Sequence, residues 1–294
     1  MAWQPTSRRW RTDLANPPVS VRDFSLRILR RGDLETKLSP APPGLDDTQP
    51  GAALRIEHPA RDAGLEMNSG GDRLPRPGEL LRASARADCL ARFAHHELMA
   101  VELFAWALLR WPELPTGLRQ GFLQALSDEQ RHCRLYLDRL DALGSTFLGR
   151  THSDYFWKHE PIFDAAPAGP RAFLCAMGLT LEQANLDFTL VYRDAFREAG
   201  DEDSALVCQQ VHEDEQRHVR LALHWLKALS PAGTSQLTAY EDAVPFPFAA
   251  SRAKSRRFDA AARRRAGLDP EFIEHIRSAR SNPEHPGAAD SEVP

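Results

Sequence analysis

The sequence predicts an all-α protein: an antiparallel four-helix bundle with a long crossover between helices two and three, a Pro-rich arm in front and short helices behind. Three observations predict it. Apolar residues recur at helical spacing through four long segments between Gly78 and Ser230. Prolines all but vanish from those segments, and few stretches carry the β-branched alternation of strands. The chain has 294 residues, 42% hydrophobic and 27% charged, an ordinary balance for a globular protein with a sizeable core.

The elements follow in order. Residues 1–78 hold NPP, SPAPPG, TQPG and RLPRPG, punctuation that disfavours long helices and predicts an extended arm packed on the bundle. One short helix fits there, over Val21–Leu34, with Val21, Phe24 and Ile28 on one face. The bundle, residues 79–230, begins with a helix over Glu79–Trp111 that stops at Pro112. The second helix runs over Thr116–Leu143 and stops at Gly144, a good C-terminal signal. The third covers Pro170–Ala199 and stops at Gly200; the fourth covers Glu202–Leu229 and stops before Pro231. The short joins within each helix pair make antiparallel neighbours, whereas Ser145–Gly169 is long enough to cross the length of a bundle. Its aromatics, in DYFWKHEPIFD, are expected to pack across helix ends. Residues 231–280 form a helical extension with a basic helix-like stretch, Arg252–Arg265, and a short apolar helix, Pro270–Ile276. The polar tail, 281–294, reads as disordered.

Composition excludes several classes. Lys and Arg number 37 against 41 Asp and Glu, too even a balance for a protein that coats nucleic acid. The longest clean apolar stretch, Phe104–Leu109, is too short to span a membrane. The N-terminal MAWQPTSRRWRTDL has arginines with no apolar segment behind them, so no secretory signal is expected. Cys89, Cys133, Cys175 and Cys208 form no CxxC pair, which argues against zinc ribbons, rubredoxin-type iron sites and a disulfide framework. The reducing cytoplasm is the expected compartment.

The chemistry sits in a repeat. The pentapeptide Asp-Glu-Gln-Arg-His occurs at Asp128–His132 and again at Asp214–His218. A carboxylate precedes each copy by almost the same interval, Glu97 in helix one and Glu182 in helix three. Residues i and i+3 lie about 60° apart on a helix, so Glu129 and His132 point one way, as do Glu215 and His218. Each pair can offer a carboxylate oxygen and an imidazole nitrogen to one ion. Apolar side chains surround all four glutamates: Phe93, Ala94, Ala100, Val101 and Phe104 beside Glu97; Phe122, Leu126 and Cys133 beside Glu129; Leu179 and Leu186 beside Glu182; Val211, Val219 and Ala222 beside Glu215. Four carboxylates buried without partners would be very costly. Two divalent cations balance their four negative charges, and two neutral imidazoles add none. Carboxylate with imidazole suits iron or manganese, and zinc would take fewer ligands per ion. Solvated surface residues are the competing reading of any single ExxH; two such motifs with paired upstream glutamates favour the metal.

These residues resemble the ferritin-like di-iron carboxylate superfamily, in which Asp-Glu-x-Arg-His recurs. HHELMAVELFAWALL, the first DEQRH, THSDYFWKH and LTLEQANLDF resemble more closely an uncharacterised bacterial ferritin-like family, a domain of unknown function. The resemblance implies two iron ions, with manganese as the substitute. Glu97, Glu129 and His132 would serve one ion and Glu182, Glu215 and His218 the other, with one or two glutamates bridging. Asp128 and Asp214 would each accept a hydrogen bond from a ligand imidazole, and Arg131 and Arg217 would pair with those aspartates. Helix one leaves a choice: Glu102 aligns with Asp187 when Glu97 aligns with Glu182, and its neighbours Leu98 and Trp106 are apolar too. Five residues is about 140° around a helix, so Glu97 and Glu102 cannot both face one point equally.

Weaker signals remain. His95, His96 and His212 lie near the proposed ligands, and His212 is a candidate extra ligand or proton donor, against the plainer reading of a hydrogen-bonded histidine. Tyr136, Tyr192 and Trp106 read as core before redox groups, and Cys133 as a small buried hydrophobe. The basic 252–265 stretch reads as a solvated helix, with an anion or RNA patch as the alternative. The expected function is O2-dependent oxidation of a small substrate of unknown identity, with an external electron donor, no membrane and no nucleic-acid partner, and with a homodimer left open. Metal handling or peroxide defence, RNA-base hydroxylation, and a non-catalytic metal-stabilised scaffold are the alternatives.

Overall fold

The computed structural model describes residues 17–69 and 73–280. The N-terminal stretch read above for a leader and the tail 281–294 lie outside the described residues. The described chain is predominantly helical and divides into two compact units after Glu160.

The first unit is built on a helix pair. Helix α1, Val21–Arg30, is capped by Ser20, whose hydroxyl accepts from the Asp23 amide at 3.0 Å. Its apolar face, Val21, Phe24, Ile28 and Leu29, is buried. Helix α2, Leu34–Leu38, is capped by Asp33. A 3-10 turn over Pro77–Leu81 then leads into α3, Ala83–Arg110, so the first long helix starts later than its apolar spacing suggests. Helix α4, Thr116–Ala142, returns beside α3 after a short join. It ends with Gly144 at φ +69°, while the Ser145 amide reaches back to the Leu140 carbonyl at 3.1 Å. Leu90, Leu98, Val101, Trp106, Phe122, Leu126 and Leu140 form the core between these helices.

The Pro-rich segment is tied to this pair by side chains. Arg119 on α4 forks onto Asp47 at 2.8 and 2.6 Å and donates to the Leu108 carbonyl. Gln130 donates its amide to the carbonyls of Lys37 and Ser39 at 2.8 and 2.9 Å. Farther along, Met67–Asn68 (β1) pairs in parallel with His152–Ser153 (β2).

The crossover is more structured than expected, with a 3-10 turn at Trp157–His159 and helix α5, Glu160–Ala165. In the second unit the predicted third helix is continuous but not uniform. It begins as α6, Pro170–Phe173, widens into a π-helix over Leu174–Glu182, and resumes as α7, Gln183–Glu198. The wider register shows in its bonds: the Gln183 amide reaches the Gly178 carbonyl, and the Thr180 hydroxyl donates to the Cys175 carbonyl at 2.8 Å, each five residues back. Gly178 makes room for the neighbouring helix. A Cβ there would stand 2.3 Å from the Ala222 Cβ.

Gly200, at φ +74°, turns the chain, and Asp201 caps α8, Glu202–Ala228, through the Ser204 amide. Helices α9, Gln236–Glu241, α10, Ala260–Ala266, and α11, Pro270–Ser278, follow. Phe173, Leu179, Leu186, Phe196, Val211, Leu226, Tyr240, Phe272 and Ile276 make this unit's core. The basic stretch is not a solvated helix. Its first part is a 3-10 turn, Ala250–Arg252, followed by irregular chain, and Arg263 is wholly buried. None of the described helices is long and apolar enough to cross a membrane.

Candidate metal centre

In the first unit, Glu97 projects from the middle of α3, and Glu129 and His132 from α4. All three sit in the apolar interface predicted by their neighbours, at 7%, 1% and 0% exposure. One ligand atom from each lies within 4.8 Å of the others. The His132 Nδ1 stands 3.2 Å from Glu129 Oε2, the contact that i, i+3 spacing allows.

The second unit repeats the arrangement. Glu182 closes the π-helical turn, and Glu215 and His218 lie on α8, all buried. Again one ligand atom from each falls within 4.8 Å of the other two. The His218 Nδ1 is 3.3 Å from Glu215 Oε2 and 3.8 Å from Glu182 Oε1. Each trio therefore offers two carboxylates and one imidazole at a spacing that one cation can fill.

Around each trio the DEQRH motif repeats its outer pairing. Arg131 reaches Asp128 at 2.9 Å and Arg217 reaches Asp214 at 2.6 Å. The arginines are partly exposed, while both aspartates are buried beside their glutamates. Gln124 and Gln210, one turn before each Asp, donate to them as well. These contacts fix the orientation of the aspartates next to the ligand helices' buried faces.

The repeat is broken at one position. Asn185 on α7 donates its amide to Glu215 Oε1 at 3.0 Å. The matching residue of α3, three past Glu97, is Ala100, which has no such donor. Sequence reasoning passed over Asn185 because it weighed only acidic and imidazole side chains; its place three residues after Glu182 was the available signal.

Among the described residues Glu97 joins a group of potential ligand atoms and Glu102 does not. Glu102 is fully buried and caged by Lys37 Nζ at 2.8 Å, Arg61 at 2.7 Å and the Trp157 indole N–H at 2.9 Å. Burial pushes its carboxyl pKa up, but the charges of Arg61 and Lys37 outweigh that and hold it below the usual value. Burial lowers the Lys37 pKa in turn, and Glu102 resists that. Both cations come from the Pro-rich segment, which motif spacing within the long helices could not reveal.

Asp187, the counterpart of Glu102 in the repeat, is caged in the same manner. Arg263 forks onto it at 2.8 and 2.9 Å, and the amides of Ser255 and Asp259 donate to it at 2.9 and 2.7 Å. The basic stretch is therefore partly internal: Arg263 grips Asp187 and Arg252 lies over the Phe248 ring, both buried, while Arg257 pairs with Asp194 at the surface.

His212 does not join the second trio among the described residues. Its Nδ1 faces the Thr189 hydroxyl at 3.4 Å and its Nε2 faces Asp259 at 3.9 Å. Burial lowers its pKa, with Asp259 opposing. Cys133 is a buried thiol that donates to the Ala94 carbonyl, and burial pushes its pKa up. Tyr136, Tyr192 and Trp106 are buried in the cores. His96 stacks on Phe156 and His95 donates to the Ser153 carbonyl at 2.7 Å.

Neither the curated proteins nor the solved structures contain a match to this chain. The model of a family described as "protein of unknown function (DUF455)" matches residues 26–274, and the chain belongs to that family.

Proposed function

We propose that this is a two-metal carboxylate protein of the ferritin-like type, an O2-dependent oxidoreductase acting on a small organic substrate. Glu97, Glu129 and His132 hold one ion, and Glu182, Glu215 and His218 the other. The observation that carries the reading is the doubled buried trio, two glutamates and one histidine, at matching positions of two helix pairs.

The donor set fits the ions. Carboxylate oxygens are hard donors and imidazole is intermediate, the combination that suits ferrous iron or manganese. Cation pairing alone is a weaker account, because two further deeply buried helix carboxylates, Glu102 and Asp187, are neutralised by lysine and arginine held by flanking segments. Reduced iron at such a site supplies the electrons for O2 chemistry when bound.

The protein's own residues do the rest. The apolar side chains beside each trio, among them Leu98, Val101, Phe122, Leu179 and Val211, keep water from the ligand atoms. Asn185 fixes one oxygen of Glu215, which would leave the other to hold an ion. Asp128 and Asp214 hold the ligand helices' polar groups in one arrangement.

The π-helix favours a catalytic over a scaffolding reading. Such segments are rare and recur at functional sites, and this one ends on Glu182. A metal that merely pinned helices together would need no departure from α-helical register. The burial of Arg252 against Phe248 and of Arg263 against Asp187 takes two arginines out of the basic stretch and weakens the case for an RNA substrate.

The test is metal analysis of anaerobically purified protein, followed by optical spectra on O2 addition. Two irons per chain and a new absorption band are expected. One ion or none, or a colourless and unreactive two-metal protein, refutes the oxidoreductase reading.

A further inference from the structure

A second feature of α3 lies away from Glu97, Glu129 and His132. Asp88, Ala91, Arg92 and His95 recur at helical spacing along one face. His95 and Glu97 are two residues apart, about 200° around the helix, so this face turns away from the ligand glutamate. Against it lies the segment Gly149–Ser153, which runs into β2, and the two line a cavity of about 310 Å³. That volume is at the lower end of cavities that hold small molecules.

The lining is cationic and rich in donors. Arg92, Arg150, Thr151, His95, His96 and His152 face it, with Asp88 as the acid among them. Asp88 is bound to Arg150 at 2.7 Å, and Arg150 is held further by the Thr146 carbonyl and the Ser145 hydroxyl. These contacts hold the guanidinium beside the cavity, where Asp88 offsets part of its charge.

Two guanidinium groups at one small cavity repel each other. Arg92 feels this: burial and the charge of Arg150 bring its pKa down to about 10. His152 reports the same field, since burial and the charges of Arg61, Arg92 and Arg150 bring it down to about 4. A cation is unfavourable in that field and an anion is favoured.

We propose that this cavity binds a small oxyanion, either a phosphate monoester or a carboxylic acid, with Arg92 and Thr151 contacting the anionic group and Arg150 supplying fixed charge. Guanidinium recognises both groups through the same forked geometry. The site is independent of the metal reading, because its residues are not ligands of either ion.

Calorimetric titration of the purified metal-loaded chain tests it, with inorganic phosphate in one series and succinate in another, at low ionic strength. Saturable one-to-one binding of at least one anion is expected. Phosphate alone identifies a phosphate ester as the ligand class, and succinate alone a carboxylic acid. Arg92→Gln should weaken binding by about tenfold or more, and Arg92→Lys, which keeps the charge and loses the fork, should weaken it less than Arg92→Gln does. Metal content and helical circular dichroism should stay unchanged in both variants. If Arg92→Gln fails to fold, Thr151→Val, on the exposed loop, provides the same comparison through a lost hydroxyl donor. Absence of saturable binding by either anion, or equal affinity in the folded Arg92→Gln and Thr151→Val chains, overturns the proposal.

Discussion

Replacing Gly178 with alanine strikes the second trio without altering any of its three proposed ligands. The added Cβ would stand 2.3 Å from the Ala222 Cβ and 3.6 Å from Glu182 Oε2. Carbon atoms rest about 3.5–4.0 Å apart, so the π-helix and α8 must separate by roughly 1.5 Å or bend. Overpacking of this kind costs about 1–3 kcal/mol. The same two elements carry Glu182 on one side and Glu215 and His218 on the other, so their separation widens a cluster spanning only 4.8 Å. The expected result is a lower denaturant midpoint at unchanged slope, with one ion per chain in place of two. The compensating pair, Gly178→Ala with Ala222→Gly, returns the missing volume and should recover the second ion. It should retain a deficit of about 1 kcal/mol from glycine within α8. If Gly178→Ala keeps wild-type stability and both ions, close packing at this crossing does not set the ligand geometry.

Four further expectations can be checked together. Glu129→Ala and His218→Ala should each abolish stoichiometric two-ion binding; two ions per chain in both variants would refute the ligand assignment. Asn185→Leu should weaken the second ion by about tenfold in a chelator competition and leave the first unchanged, since an outer hydrogen bond of this sort is worth about 10–100-fold in metal affinity; equal affinities would show that Asn185 does not position Glu215. Lys37→Met removes one of the two cations caging Glu102 and should cost about 3 kcal/mol in chemical denaturation while sparing both ions, whereas loss of an ion would return Glu102 to the ligand set. The Glu102 carboxyl is held below its ordinary pKa of 4.5, so its contribution to stability is present above that value and is lost as pH falls through the lowered one. Acid titration of the wild-type fold should show that loss, and Glu102→Gln should flatten it; an unchanged acid limb would mean that Glu102 does not govern it.

The long helices were legible because their ends are written in local chemistry. Pro112 ends α3, Gly144 and Gly200 supply the positive-φ residues that close α4 and α7, and the strong apolar spacing between these stops is hard to satisfy in any other way. The short helices α2 and α9 escaped notice although Asp33 and Ser235 cap them, because five or six residues give no period to read. The π-helix was invisible for a different reason. Its Leu174–Glu182 sequence is as apolar and as helix-compatible as its surroundings, and only packing of Gly178 against Ala222 distinguishes its register. Glu97 and Glu102 could not be separated by their apolar neighbours. The deciding groups, Lys37, Arg61 and Trp157, are distant in sequence and come together only through tertiary structure.

The twin cages around Glu102 and Asp187 set where the chain can be cut. A fragment beginning at α3 would bury a glutamate stripped of both its cations, and one ending at α8 would strand an aspartate without Arg263. Neither helix pair is therefore self-sufficient, and the segment before the first and the segment after the second act as obligatory counter-charges built into the polypeptide. Trimming the protein to its long helices for expression or crystallisation would remove the very residues that neutralise Glu102 and Asp187.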